Sequence, residues 1–202
     1  MRKSINWKLF FVLLSVSVLT TFLVLPYTIA LSPNLAEVFT PVVLVAQIVQ
    51  SIVIFSIAIY FGLLLHKRVG LRMPVWEGNK SISYLSSVWK ISVGMGIFGG
   101  VFIIVSSLLF PDLSVSMLRS EMGVSIWKSI LASFYGGIAE EILFRLFLMT
   151  FFVWISSKFS KTRDGLPTNV GIWISIILSS IIFGLGHLGI TSSLTTITGM
   201  VV

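Results

Sequence analysis

The chain has 202 residues, of which 56% are hydrophobic and only 10% charged, with a mean hydropathy of +1.04. Side chains this apolar exceed what a soluble domain of the same length buries, and charge this sparse would not cover its surface, so the sequence is that of a polytopic membrane protein. The net charge of +7 does not signal nucleic acid, because the basic residues sit between apolar runs, and the absence of cysteine excludes disulfides and thiol catalysis.

The first apolar run, Leu9 to Leu25, follows the basic residues Arg2, Lys3 and Lys8. It is longer than the ~7–15 residues of a signal-peptide core and lacks a good cleavage site, so a retained signal anchor is expected. A loop without Lys or Arg should follow from Pro26 to Glu37, broken by Pro26 and Pro33. The second span is expected from Val38 to Leu65, with Gln47 and Gln50 turned toward another helix. The basic stretch from His66 to Lys90 carries Trp76 and Trp89, residues suited to the headgroup level. A third span, Ile91 to Phe110, contains Gly96 and Gly100, a candidate face for close helix approach.

The fourth apolar segment, Ile126 to Ser157, exceeds the ~20 residues needed to cross, which predicts tilt or a break near Gly136-Gly137. A polar turn separates it from the fifth span, Val170 to Leu185, and Leu188 to Val202 reads as the start of a sixth. The fold class expected is therefore all-α, a transmembrane helix bundle of about five full spans plus the start of a sixth. Residues 1–125 would supply three spans and their loops. With the N-terminus cytoplasmic, eleven basic residues, among them Lys67, Arg68, Lys158, Lys161 and Arg163, collect on the inner side. Arg119 and Lys128 are left outside, a strong positive-inside bias.

Glu140 and Glu141 are the only carboxylates in the apolar spans, and Arg145 lies among them. Ionisable groups are rare at membrane depth and mark pathways or sites. Glu141 and Arg145 are four residues apart and share a helix face, while Glu140 points about 100° away. His187 lies 17 residues into the fifth span and Glu141 lies 17 residues back from Lys158, each about 25 Å from the inner face. Gly184, Gly186 and Gly189 flank the histidine and would admit a neighbouring helix. A carboxylate and an imidazole in a shielded cavity can activate water, the carboxylate as base and the imidazole as positioning group or oxyanion donor.

Glu140-Glu141-x-x-x-Arg145 followed by Phe183-x-x-x-His187 resembles the first two motifs of the CPBP family of intramembrane proteases. That family comprises CAAX proteases and bacteriocin-processing enzymes, also called Abi proteins. The resemblance runs from Ile126 to the C-terminus and implies a helical bundle whose active site lies within the membrane. It implies that Glu140 and His187 bind and activate water, that Glu141 supports them, and that Arg145 anchors the glutamates. The family's third motif, a histidine followed four residues later by asparagine, does not occur by Val202, so 126–202 is expected to be a protease region incomplete at its C-terminus.

The resemblance leaves open whether a divalent metal such as zinc assists. Two carboxylates and one histidine could supply zinc ligands without forming a closed set. The expected partners are the lipid bilayer and a membrane-associated peptide or protein substrate, with no nucleic acid. The expected location is a bacterial plasma membrane. Two other readings suit the same residues: a proton-coupled transporter using Glu140, Glu141 and His187 as a relay, and a catalytically inactive scaffold or immunity factor of the same fold.

Overall fold

The structure, a computed structural model, describes residues 5–32, 35–71, 73, 81–109 and 123–199, with the side chains at 35, 81–82 and 188–199 excepted. Arg2, Lys3, Pro33, Trp76, Phe110 and Arg119, named above, lie outside these. Among the described residues the elements are helical, apart from one isolated bridge between Lys161 and Pro167. Four helices are long and apolar enough to cross a membrane: Trp7–Leu31, Pro41–Leu65, Ser83–Leu109 and Asn169–His187. The protein is an all-α membrane helix bundle.

The chain forms two compact units, Met1–Leu71 with Gly123–Ile190, and Arg72–Met122 with Thr191–Val202. In the first unit, α1 (Trp7–Leu23) begins where Asn6 Oδ1 accepts from the Leu9 N–H at 3.1 Å. It passes through Val24 almost directly into α2 (Leu25–Leu31), so the first span ends at Leu31 and not at Leu25. Pro26 does not break it, because the proline stands in the first turn of α2, where its missing N–H has no helical partner to lose. A short α3 (Leu35–Val38) leads to α4 (Pro41–Leu65), which starts at the Thr40 cap rather than at Val38.

The bundle core is built from α1, α4 and the stretch 135–149, which pack on one another. Small polar residues make this possible in an apolar setting. Ser17, Thr20 and Thr21 are buried on α1, and each hydroxyl donates to a carbonyl of its own helix at 2.6–2.8 Å. On α4, Gly62 lets the neighbouring backbone in: a Cβ there would stand 2.8 Å from the Leu146 carbonyl oxygen. The expected role of the two glutamines divides. Gln47 is partly buried and its Oε1 has no hydrogen-bond partner among the described residues, whereas Gln50 is exposed. His66 is buried in the turn after α4, with Nδ1 3.2 Å from the Gly62 carbonyl, rather than standing in a solvated basic loop.

The expected fourth segment is one continuous helical run with a change of winding. A nine-residue α5 (Ile126–Phe134) passes into a 15-residue π-helical stretch (Tyr135–Met149) and then a ten-residue α6 (Thr150–Phe159). The transition falls beside Gly136-Gly137, so the break expected there takes the form of widening from i→i+4 to i→i+5 bonding. π-Helical winding is rare and, as single-turn bulges, is frequent at functional sites. The turn after α6 closes through Thr162 and Leu166, with Gly165 at φ +77°. Thr168 then caps α7 (Asn169–Gly199) by accepting from the Gly171 N–H at 3.1 Å. Helix α7 runs unbroken past His187, so Leu188 does not open a separate sixth span.

The second unit contains α8, the label given to Ser81–Leu109, which begins ten residues before the expected start at Ile91 and takes Trp89 and Lys90 into the helix. Among the described residues nothing lies within 4 Å of the Cβ positions of Gly96 and Gly100, so the expected close approach is not seen among them.

Candidate active site

The π-helical stretch and α7 face each other across a cavity of about 500 Å³. Helix α7 meets this helical run at two levels, one on α6 and one on the π-helical stretch. Near the start of α7, a Cβ on Gly171 would stand 2.7 Å from Ser156 Oγ of α6, which is a close packing point. Farther along, the Phe144 and Phe183 rings meet edge to face at 4.8 Å, and the Phe183 ring lies 4.3 Å from the His187 ring. Among the described residues nothing lies within 4 Å of the Gly184 or Gly186 Cβ positions, so these glycines do not make the expected approach. Gly62 and Gly171 make such contacts instead.

The ionisable groups divide into two pairs. Arg145 Nε donates to Glu141 Oε2 at 3.0 Å, four residues apart on the same helical run. Glu140 turns the other way, and its Oε1 lies 3.7 Å from His187 Nε2. The level juxtaposition of Glu141 with His187 thus belongs to Glu140, one residue earlier. Glu140, Glu141 and Arg145 line the cavity, and His187 touches that lining at Glu140.

The second nitrogen of His187 fixes what the first can do. Nδ1 stands 2.9 Å from the Phe183 carbonyl, which only accepts, so Nδ1 carries the proton of this bond. In the neutral ring Nε2 is then an acceptor directed at Glu140. A separation of 3.7 Å is too long for a direct hydrogen bond. One water bonded at ~2.8 Å to each side can bridge that gap.

Other cavity residues carried no conspicuous sequence signal. Ser179 and Ser180 face the carboxylates from α7, and Ser179 already donates to the Ile176 carbonyl at 3.0 Å. Beside the cavity lining, at the start of the π-helical stretch, Tyr135 lies within electrostatic reach of the Glu140 carboxylate. Their only hint was spacing: Ser180 lies three residues before Phe183 of the second motif, and Phe144 stands four residues after Glu140. Among the described residues no three His, Cys, Asp or Glu side chains converge, and a catalytic zinc takes three protein ligands.

Residues 122–202 match the family model described as Type II CAAX prenyl endopeptidase Rce1-like. This region is similar to the CAAX prenyl endopeptidases. The matched region contains Glu140, Glu141, Arg145 and His187 and both walls of the cavity. No curated protein and no solved structure matches the chain.

Proposed function

We propose that the protein is an intramembrane endopeptidase that cleaves a membrane-associated peptide or protein with water held between Glu140 and His187. The observation that carries this reading is the 3.7 Å separation of Glu140 Oε1 and His187 Nε2 beside a cavity. A water donating one hydrogen to each group has its oxygen lone pairs directed away from both, toward a carbonyl in the cavity. Glu140 takes a proton as the water oxygen bonds to the carbonyl carbon. The tetrahedral intermediate then collapses with loss of the C–N bond, and the departing amine nitrogen receives that proton. His187 holds the water, and its own orientation is held by Phe183. Glu141 is engaged by Arg145, which keeps the second carboxylate off the water and gives the guanidinium a structural role.

The test is cleavage by protein reconstituted in lipid vesicles. Glu140→Gln keeps the shape of the side chain and removes the base, so its rate should fall by ~10²–10⁴ while membrane insertion is unchanged. Cleavage by Glu140→Gln at the parental rate would contradict the reading. The mechanism places no metal in the reaction, so treatment with a chelator should leave the rate as it was. Loss of activity restored by added zinc would move the chemistry to a metal.

A further inference from the structure

One end of the first unit gathers cations on two turns that are each fastened internally. In the turn 66–71 after α4, the Leu71 N–H donates to the His66 carbonyl at 3.0 Å, and Gly70 takes φ +73°. Buried His66 and Val69 pin it from beneath, while Arg68 is exposed and Lys67 half-buried. In the turn 160–168, the Thr162 N–H donates to the Leu166 carbonyl at 2.9 Å, and Lys161 and Arg163 are exposed. The two turns touch, since Leu166 Cδ2 lies 2.9 Å from the Gly70 Cβ position.

The contact places Lys67 and Arg68 on one turn beside Lys161 and Arg163 on the other, with Asp164 as the one acid on either turn. Lys158 stands on the last turn of α6, its ammonium 4.9 Å from the Trp154 ring centre. Phe159 is 87% exposed between these cations, and Leu166 is also exposed. Apolar side chains presented among basic ones suit the boundary between acyl chains and headgroups. A positive-inside signal needs only the charges on the correct side. Here internal hydrogen bonds and a shared packing contact hold them together.

We propose that this surface binds the phosphate headgroups of anionic phospholipids in the leaflet it faces, with Arg68, Lys161 and Arg163 as the principal contacts. Phe159 and Leu166 enter the acyl region beneath. The site lies at the turns, away from the Glu140–His187 cavity, and does not depend on the protease reading.

The full chain, purified in neutral detergent, is titrated with phosphatidylglycerol or phosphatidylcholine while its thermal unfolding midpoint is followed. Phosphatidylglycerol should raise the midpoint, and phosphatidylcholine should not. Inorganic phosphate at the same concentration should have no effect, which separates a lipid site from a free-anion site. Lys161→Gln with Arg163→Gln should weaken the phosphatidylglycerol response by about fivefold per cation removed. Arg68→Gln gives the same reading from the other turn, and Lys128→Gln on α5 should leave the response intact. Equal responses to the two lipids in the unaltered protein, an equal response to phosphate, or undiminished responses in the substituted turns would overturn the proposal.

Discussion

Arg145 and Glu141 show how charge is accommodated in an apolar helix. Their 3.0 Å contact leaves neither ion alone, and an unpaired ionised side chain at the bilayer centre costs ~2.5–3.5 kcal/mol on insertion-derived scales. Arg145→Ala should therefore reduce the amount of folded protein recovered in detergent, with activity falling alongside. Adding Glu141→Gln to that variant should restore part of the yield, because the stranded charge is gone. Recovery of Arg145→Ala at the parental level would show that the pair is not needed for insertion. The four charged or titratable residues of the site were legible in the sequence because such groups are conspicuous in apolar spans. The family resemblance paired Glu140 with His187, whereas residue spacing alone set Glu141 level with it, since that level depends on the winding of the helix that carries both. Sequence spacing assumes α geometry, and the stretch from Tyr135 to Met149 is π-helical.

At the scale of elements, helix approach is set by two glycines, at Gly62 and Gly171. The Leu146 carbonyl oxygen beneath Gly62 is backbone and has little room to move, with the Leu146 Cγ at 2.7 Å from the same point. Gly62→Val should destabilise the protein by roughly 1–3 kcal/mol through overpacking, read as a lower unfolding midpoint. Gly184→Ala, with open space at its Cβ position, should leave the midpoint unchanged. Equal midpoints for Gly62→Val and the parent would remove the close α4 contact from the account. The Gly96, Gly100, Gly184 and Gly186 pattern pointed elsewhere because a small residue permits close packing without specifying a partner. Pro26 misled in a similar way: proline ends a helix from its interior and tolerates the first turn, and residue type alone does not tell these positions apart.

Over the whole molecule, hydropathy made the all-α membrane class plain, and the span count was less so. The run from Ile126 to Phe159, expected from its sequence to be long enough to cross, is helical throughout but divides into α5, the π-helical stretch and α6, each shorter than the ~20 residues of a full span. Within the first unit, the contact of Gly70 with Leu166 puts the turns 66–71 and 160–168 at one end, while α2 packs against α5. The charge asymmetry predicts that the turn end faces the cytoplasm. In this cysteine-free chain, single cysteines at Ser32 and Ser160 should label from opposite faces of the membrane. Labelling of both by an impermeant reagent on intact cells would contradict that orientation.

The central claim is that Glu140 and His187 act on one water molecule as a unit, and a mutant cycle measures this directly. Residues that act as a unit lose nearly everything with the first substitution, so their effects do not multiply. Cleavage rates in vesicles should fall by a similar large factor in Glu140→Gln and in His187→Ala, and Glu140→Gln with His187→Ala should be no slower than the slower single variant. A double variant whose loss equals the product of the two single losses would show that the residues act independently, and would contradict the shared water.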